Sequence, residues 1–271
     1  MSKILLVGCG HMGTALVNSW LNLKSYSFTV VDPYNYEKLI NKFKIKKINV
    51  LNKTPTQKEM QRFDIIIFAV KPQIADYVLS EYKNFKFKKN ILISSIIAGK
   101  KINFFKSRIK NANQFVRIMP NMPALISNGI SCFVPSKNLS TSNKKKINQL
   151  FKNVGKTLWL KNENEIDKAT AVSGSGPGYI FALINSLELG AQKLGFSKKQ
   201  SRELVITTIL GSIYLMQETK KEPIDLKNLI AVKGGTTEAG INYLKKINIE
   251  KIIYNTYMAA YKKAKILGKK N

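Results

Sequence analysis

The chain has one histidine, two cysteines and only 16 acidic residues among 271. A lone histidine, His11, cannot build the multi-histidine sets that hold catalytic metals, so no metal is expected. Cys9 and Cys132 are too few for a disulfide framework and fit a reducing, cytoplasmic setting. Long apolar runs are missing as well. The stretches at 65–70 and 91–97 fall far short of the roughly 20 residues that span a bilayer. A strand pattern begins at Lys3, which leaves no room for a signal peptide. There is no internal repeat and no low-complexity linker.

The scarcity of acids leaves a formal net charge of +29, from 45 lysines and arginines. Charge of this sign raises the question of nucleic acid. Here it is mostly lysine, in short runs at 42–47, 86–89, 144–146 and 262–270, without an arginine cluster or a nucleic-acid motif. It reads as a solvated surface, and no nucleic-acid partner is expected. The field still favours entry of anionic ligands. With 44% hydrophobic residues the chain can bury a core, and its length suits one large or two medium domains.

The first 60 residues carry the first motif. Residues 3–7 form an apolar strand, Gly8-Cys9-Gly10-His11-Met12-Gly13 follows, and a helix is predicted over 14–23. A second strand at 28–31 ends at Asp32, nineteen residues after Gly13. Gly8 permits a tight turn, Gly10 lets the backbone approach a diphosphate, and Gly13 lets helix pack on strand. The helix start faces the anion. This predicts a dinucleotide site, with Cys9 as filler and His11 and Met12 beside the cofactor.

Strands are then expected at 64–70, 90–97 and 114–119, the last closed by Pro120-Asn121-Met122-Pro123. Ligands bind beyond the strand C-termini of an open α/β sheet. Ala69, Val70, Lys71, Pro72, Ala98, Gly99 and Asn121 should therefore line one crevice with the glycine loop, although Lys71 reads equally well as a surface lysine. Further strands are expected at 130–134 and 157–160 around a helix over 142–153.

The composition changes at Ala171-Val-Ser-Gly-Ser-Gly-Pro-Gly-Tyr-Ile180. Before it lie alternating strands and helices; after it only helices. It reads as a domain junction, a common place for a small-molecule site, with the next helix starting at Ser175-Gly176-Pro177. Later helices are predicted at 197–219, 225–232, from Gly234-Gly235-Thr236-Thr237 to 247, and 249–267. Their apolar faces exceed what so small a domain hides, which implies a partner subunit. Gly234–Thr237 reads as an anion site of backbone N–H groups, or as plain capping.

These residues together resemble the pyrroline-5-carboxylate reductase family over essentially the full length. The match is carried by residues 8–13, Ala69-Val-Lys-Pro72, Val116-Arg-Ile-Met-Pro-Asn-Met-Pro123, Glu163-Asn-Glu-Ile-Asp167, Thr170 to Tyr179, and Gly234-Gly-Thr-Thr237. The resemblance implies an α/β fold: an N-terminal Rossmann-like domain over 1–162 and a helical substrate-binding and dimerisation domain over 163–271. It implies reduction of (S)-1-pyrroline-5-carboxylate to L-proline by NAD(P)H in a homodimer or ring of dimers. Backbone groups of Gly235, Thr236 and Thr237 would hold the substrate carboxylate, the Thr237 hydroxyl the ring nitrogen, and Glu163 the substrate cation. Thr56 would stand near the adenosine ribose.

Several residues depart from the family pattern: Val232-Lys233 for Ser-Pro, Met122 for threonine, His11 and Thr56 for asparagine, and Asp32 for a small or basic residue. A carboxylate at 32 facing the ribose would favour NADH by about tenfold. Two other readings make different demands on the chain. A β-hydroxyacid dehydrogenase would want a lysine three residues before Asn185, where Ala182 stands. A dinucleotide-sensing nucleic-acid-binding protein would show salt-sensitive DNA binding and no turnover.

Overall fold

The computed structural model describes residues 1–44 and 48–269. Lys46, Lys47 and Lys270, from the lysine runs, lie outside the described residues. Two compact units are present. The first is residues 1–175 together with 260–271, and the second is Gly176–Ala259.

The first unit is built on an eight-stranded sheet. Its strands are β1 (Ser2–Val7), β2 (Tyr26–Val31), β3 (Asn49–Leu51), β4 (Ile65–Phe68), β5 (Leu92–Ser95), β6 (Gln114–Met119), β7 (Gly129–Pro135) and β8 (Gly155–Trp159). They lie in the order β3-β2-β1-β4-β5-β6-β7-β8. The first six pair parallel and β7 runs antiparallel to β6. The order 3-2-1-4-5-6 is that of the doubly wound dinucleotide folds. β1 and β4 are nearly continuous apolar runs because strands covered on both faces need no polar alternation.

Side chains alternate between the faces, and the core divides accordingly. On one face Ile4 and Leu6 pack with Leu16, Val17 and Trp20 of α1 (His11–Trp20) and with Leu150 and Phe151 of α6 (Thr141–Lys152). The Trp20 indole N–H donates to the Leu150 carbonyl at 2.9 Å, tying the two helices together. On the other face Leu5 and Val7 pack with Leu79 and Tyr82 of α4 (Ala75–Tyr82) and with Phe104 and Phe105 of α5 (Ile102–Arg108). This unit also holds α2 (Tyr36–Phe43), α3 (Gln57–Met60), α7 (Glu163–Ala169) and the second half of α12 (Ile249–Lys269).

The glycine–serine stretch differs from expectation. α7 does not end at Ala169. Thr170–Gly174 continues it as a π-helical turn, closed by the Ser175 N–H donating five residues back to the Thr170 carbonyl at 2.8 Å. The Thr170 and Ser173 hydroxyls donate to the carbonyls of Ile166 and Ala169, at 2.8 and 2.9 Å. Short hydroxyl side chains can back-bond in this way and widen a helix without ending it.

The second unit comprises α8 (Gly176–Lys193), α9 (Lys198–Thr219), α10 (Pro223–Ile230), α11 (Thr236–Lys246) and the first half of α12 (Ile249–Lys269). Ser197 caps α9 in a reciprocal capping box with Gln200. Of the unit's described residues only Ser201 is fully buried, whereas Phe181, Leu187, Tyr214, Leu229, Leu244 and Ile252 are all exposed. A helical unit with so little core of its own needs its apolar faces covered from outside.

Gly155 opens β8 at φ +134°, and a Cβ there would lie 2.0 Å from the Gly129 carbonyl oxygen. Gly155→Ala should lower stability by about 2–4 kcal/mol through strain and overpacking. Gly10→Ala, which meets nothing within 4 Å, should stay within about 1 kcal/mol. Urea unfolding of both variants tests the contrast.

Candidate active site

The glycine loop runs from the C-terminus of β1 to α1. Gly8 has φ +91°, and a Cβ on it would lie 2.6 Å from Val70 Cγ1 and 2.9 Å from the Ala69 carbonyl. A Cβ on Gly13 would lie 2.7 Å from the Gly8 carbonyl. Backbone hydrogen bonds hold the loop between its neighbours: Gly8 N–H donates to the Val31 carbonyl at 2.8 Å, and Ala69 N–H to the Val7 carbonyl at 2.8 Å. Gly10 is exposed and caps α1 without a side-chain bond. The first-turn N–H groups of α1 have no carbonyl four residues back to bond. Open space over Gly10 above these donors fits a dinucleotide diphosphate.

Cys9 is buried within the loop. Burial, and secondarily the Asp32 charge, push its thiol pKa up, against the contact with the Thr14 hydroxyl and the pull of Lys42. The Thr14 hydroxyl donates to the Cys9 carbonyl at 3.2 Å. Cys132 is also a buried free thiol raised by burial, so neither cysteine is an activated nucleophile.

Asp32 does not sit as a bare carboxylate beyond β2. It is 7% exposed, and its oxygens accept from the Cys9 N–H at 2.7 Å and from the Asn35 backbone and side-chain N–H groups at 3.0 Å each. The ground for an NADH preference, a carboxylate turned toward the ribose, is therefore absent from this geometry. Just past Asp32 is an open depression of about 620 Å³ lined by residues that include Pro33, Tyr34, Asn35, Lys38 and Asn52.

The neighbouring strand ends differ in how closely they join the loop. Ala69 and Val70 touch Gly8. Lys71 is exposed and precedes a short 3-10 turn begun by Pro72. The Ile96 N–H bonds the Phe68 carbonyl at 3.0 Å, which brings the end of β5 beside that of β4. Ala98 is exposed, but the direction a Cβ on Gly99 would take is filled by the Leu267 backbone of α12, 3.3 Å away. Asn121 accepts from the Ile130 N–H at 2.8 Å and donates to the Ser173 carbonyl at 3.2 Å, so its amide ties β7 to the π turn. Thr56 uses its hydroxyl in a capping box with Glu59 at the start of α3. His11 is exposed and Met12 half-buried at the first turn of α1.

Glu163 also has a different setting from the one expected. Its Oε1 accepts from the Ile102 N–H at 2.8 Å and lies 3.5 Å from the Arg117 guanidinium. Arg117, on β6, is 3% exposed and pairs with buried Asp167 at 3.2 Å. This cluster joins β6, α5 and α7, and α7 leads straight into the π turn. Sequence reasoning gave Arg117 and Asp167 no role. An arginine inside the apolar run of β6 was the available signal, because an arginine is almost never fully buried unpaired.

In the second unit, Gly235 N-caps α11. Its N–H already donates to the Val232 carbonyl at 3.0 Å, and Gly234 N–H donates to Glu238 Oε2 at 2.7 Å. The expectation that Gly235 N–H meets a substrate carboxylate is therefore replaced by a role in the turn, with Gly234 at φ +76°. Thr236 and Thr237 are exposed at the first turn, where N–H groups lack intrahelical acceptors.

Comparison with known proteins decides the family. Residues 163–267 match the model for pyrroline-5-carboxylate reductase dimerisation, and residues 3–98 match that for NADP oxidoreductase, coenzyme F420-dependent. A pyrroline-5-carboxylate reductase of Methanosarcina acetivorans is 31% identical, covering 99% of this chain and 98% of that protein. The chain belongs to the pyrroline-5-carboxylate reductase family. The enzyme of Pseudomonas aeruginosa is 33% identical over 73% of this chain and 72% of its own. Two solved structures agree. The Plasmodium falciparum pyrroline carboxylate reductase with NADP bound has 30% identity and a TM-score of 0.83, covering 98% of each chain. The Coxiella burnetii pyrroline-5-carboxylate reductase has 26% identity and a TM-score of 0.89, also covering 98% of each. Membership carries an enzyme of proline synthesis that reduces pyrroline-5-carboxylate with NAD(P)H. Among the described residues no helix is long and apolar enough to cross a membrane, and no histidine, cysteine or acid cluster could hold a metal.

Removing Arg117 leaves the buried Asp167 carboxylate uncompensated, with Glu163 beside it. Arg117→Met should cost about 3–5 kcal/mol of stability. A calorimetric melt of the variant beside the native protein measures it.

Proposed function

We propose that the family reaction is carried out here by the glycine loop as diphosphate holder and by the opening of α11 as substrate holder. The reading rests on one observation: a single chain pairs a sterically enforced glycine loop with a helix whose first turn offers threonines and free N–H groups. The dinucleotide function is assigned to residues 1–162, and substrate binding with dimerisation to 163–271.

Bound NAD(P)H supplies a hydride to the imine carbon. The chain's own part is to bind, orient and keep the charges in place. Backbone N–H groups of Thr236 and Thr237 hold the substrate carboxylate at the positive end of α11. Glu238 keeps the preceding turn in shape through Gly234 N–H and so lies beside that anion without replacing it. The Thr237 hydroxyl accepts from the protonated ring nitrogen. The proton arrives with the substrate as its iminium form, so no acid side chain is called for and positioning is the main contribution. Glu163, neutralised by Arg117, is assigned to support of α7 and not to the substrate. Gly10, His11, Met12 and Gly13 meet the diphosphate, and Ala69 and Val70 back the loop. The exposed apolar faces of the second unit are assigned to a second copy, and dimers to a larger ring.

Thr237→Val keeps shape and removes the hydroxyl. It should cost about 1–3 kcal/mol of transition-state stabilisation, roughly 5- to 150-fold in kcat/KM. Oxidation of NADH and NADPH followed by absorbance, with pyrroline-5-carboxylate as substrate, provides the measurement; a variant with native activity removes the assigned role.

Assembly is tested separately. Light scattering at micromolar concentration should give at least twice the chain mass. An active monomer would contradict the assignment of the apolar faces.

A further inference from the structure

Both oxygens of Asp32 are engaged by groups of the protein itself. Its carboxylate is buried, one oxygen is shared between the Cys9 N–H and the Asn35 amide, and the other takes the Asn35 backbone N–H. The Cys9 N–H lies in the middle of the glycine loop, 23 residues from its acceptor. From the opposite side the Thr14 hydroxyl donates to the Cys9 carbonyl. Both polar groups of the Cys9 backbone are thus held by side chains, and the Cys9 side chain is buried.

We propose that Asp32 is a positioning residue for the diphosphate loop and not a selector of the adenosine ribose. It fixes the Cys9 peptide, and through it the direction of the donors that follow at Gly10 and His11. The inference rests on the dinucleotide reading of that loop. A carboxylate is the only side chain of this size with acceptors alone on both branches. Asparagine in its place must present an amide N–H either to the Cys9 N–H or to the Asn35 N–H, and one donor is left facing another. The loop then spends less time in its binding arrangement, and affinity falls by that fraction for any ligand that uses it. The 2′ position of the adenosine ribose plays no part, so NADH and NADPH must suffer alike. Selection between them passes to the residues beyond Asp32 that line the open depression, among them Asn35, Lys38 and Asn52.

The experiment is direct titration of native protein and Asp32→Asn with NADH and with NADPH, by nicotinamide fluorescence or calorimetry. The expected result is a rise of about tenfold in both Kd values, with their ratio within twofold of native. Affinity for the product L-proline should stay unchanged, a separation that general loss of structure would not give. A ratio shifted tenfold or more toward NADPH would show a ribose-facing carboxylate and overturn the proposal. Unchanged affinity for both would overturn it as well. Native protein that binds neither cofactor would instead overturn the dinucleotide reading on which the proposal rests. If Asp32→Asn does not fold, amide hydrogen exchange on native protein carries the test. The Cys9 N–H should stay equally protected with NADH and with NADPH; loss of protection with NADH alone means that Asp32 has left the loop for the ribose.

Discussion

The first unit depends on a close approach at the C-terminus of β1. There is no room at Gly8 for even one carbon beyond the backbone, because Val70 and Ala69 press on it from just past β4 while the β2 end holds its N–H. Gly13 is as tightly set against the Gly8 carbonyl. These contacts turn the chain sharply from strand into helix and bring α1 down onto the sheet. The consequence is chemical. The same turn leaves Gly10 open and points the first donors of α1 outward, so the packing that builds the core also builds the anion site.

Charge is handled differently in two places. The abundant lysines are mostly exposed and add a diffuse positive field that suits an anionic cofactor and substrate. The few acids are used locally and sparingly. Asp32 holds the glycine loop, Asp167 and Glu163 neutralise Arg117, Glu238 braces the turn before α11, and Glu59 caps α3. In a chain with 16 acids against 45 bases, these carboxylates serve mainly to fix backbone N–H groups and one buried guanidinium. Each stabilises a specific geometry.

The two units also differ in how they are stabilised. The sheet unit buries aromatic and branched side chains on both faces. The helical unit keeps its apolar residues exposed within one chain. Coverage by a second copy is consistent with the match of residues 163–267 to a dimerisation model.

By itself the sequence determined whatever depends on neighbours along the chain. The apolar runs of β1, β4 and β6, the helix beginning at 197 and the strand–glycine–helix–strand–acid spacing are all local, and all were legible. The short strand Asn49–Leu51 was not, since three residues carry too little pattern. Only the tertiary structure decided what partners lie across space. It turned Asp32 to the Cys9 N–H, set Glu163 on Arg117 and Ile102, sent Asn121 to Ser173, and laid Leu267 against Gly99. Position in a motif says where a side chain starts. Which way it turns depends on which unsatisfied donor lies nearest once the chain is folded, and a buried carboxylate goes to that donor because leaving either group unpaired costs more than any exposed contact returns.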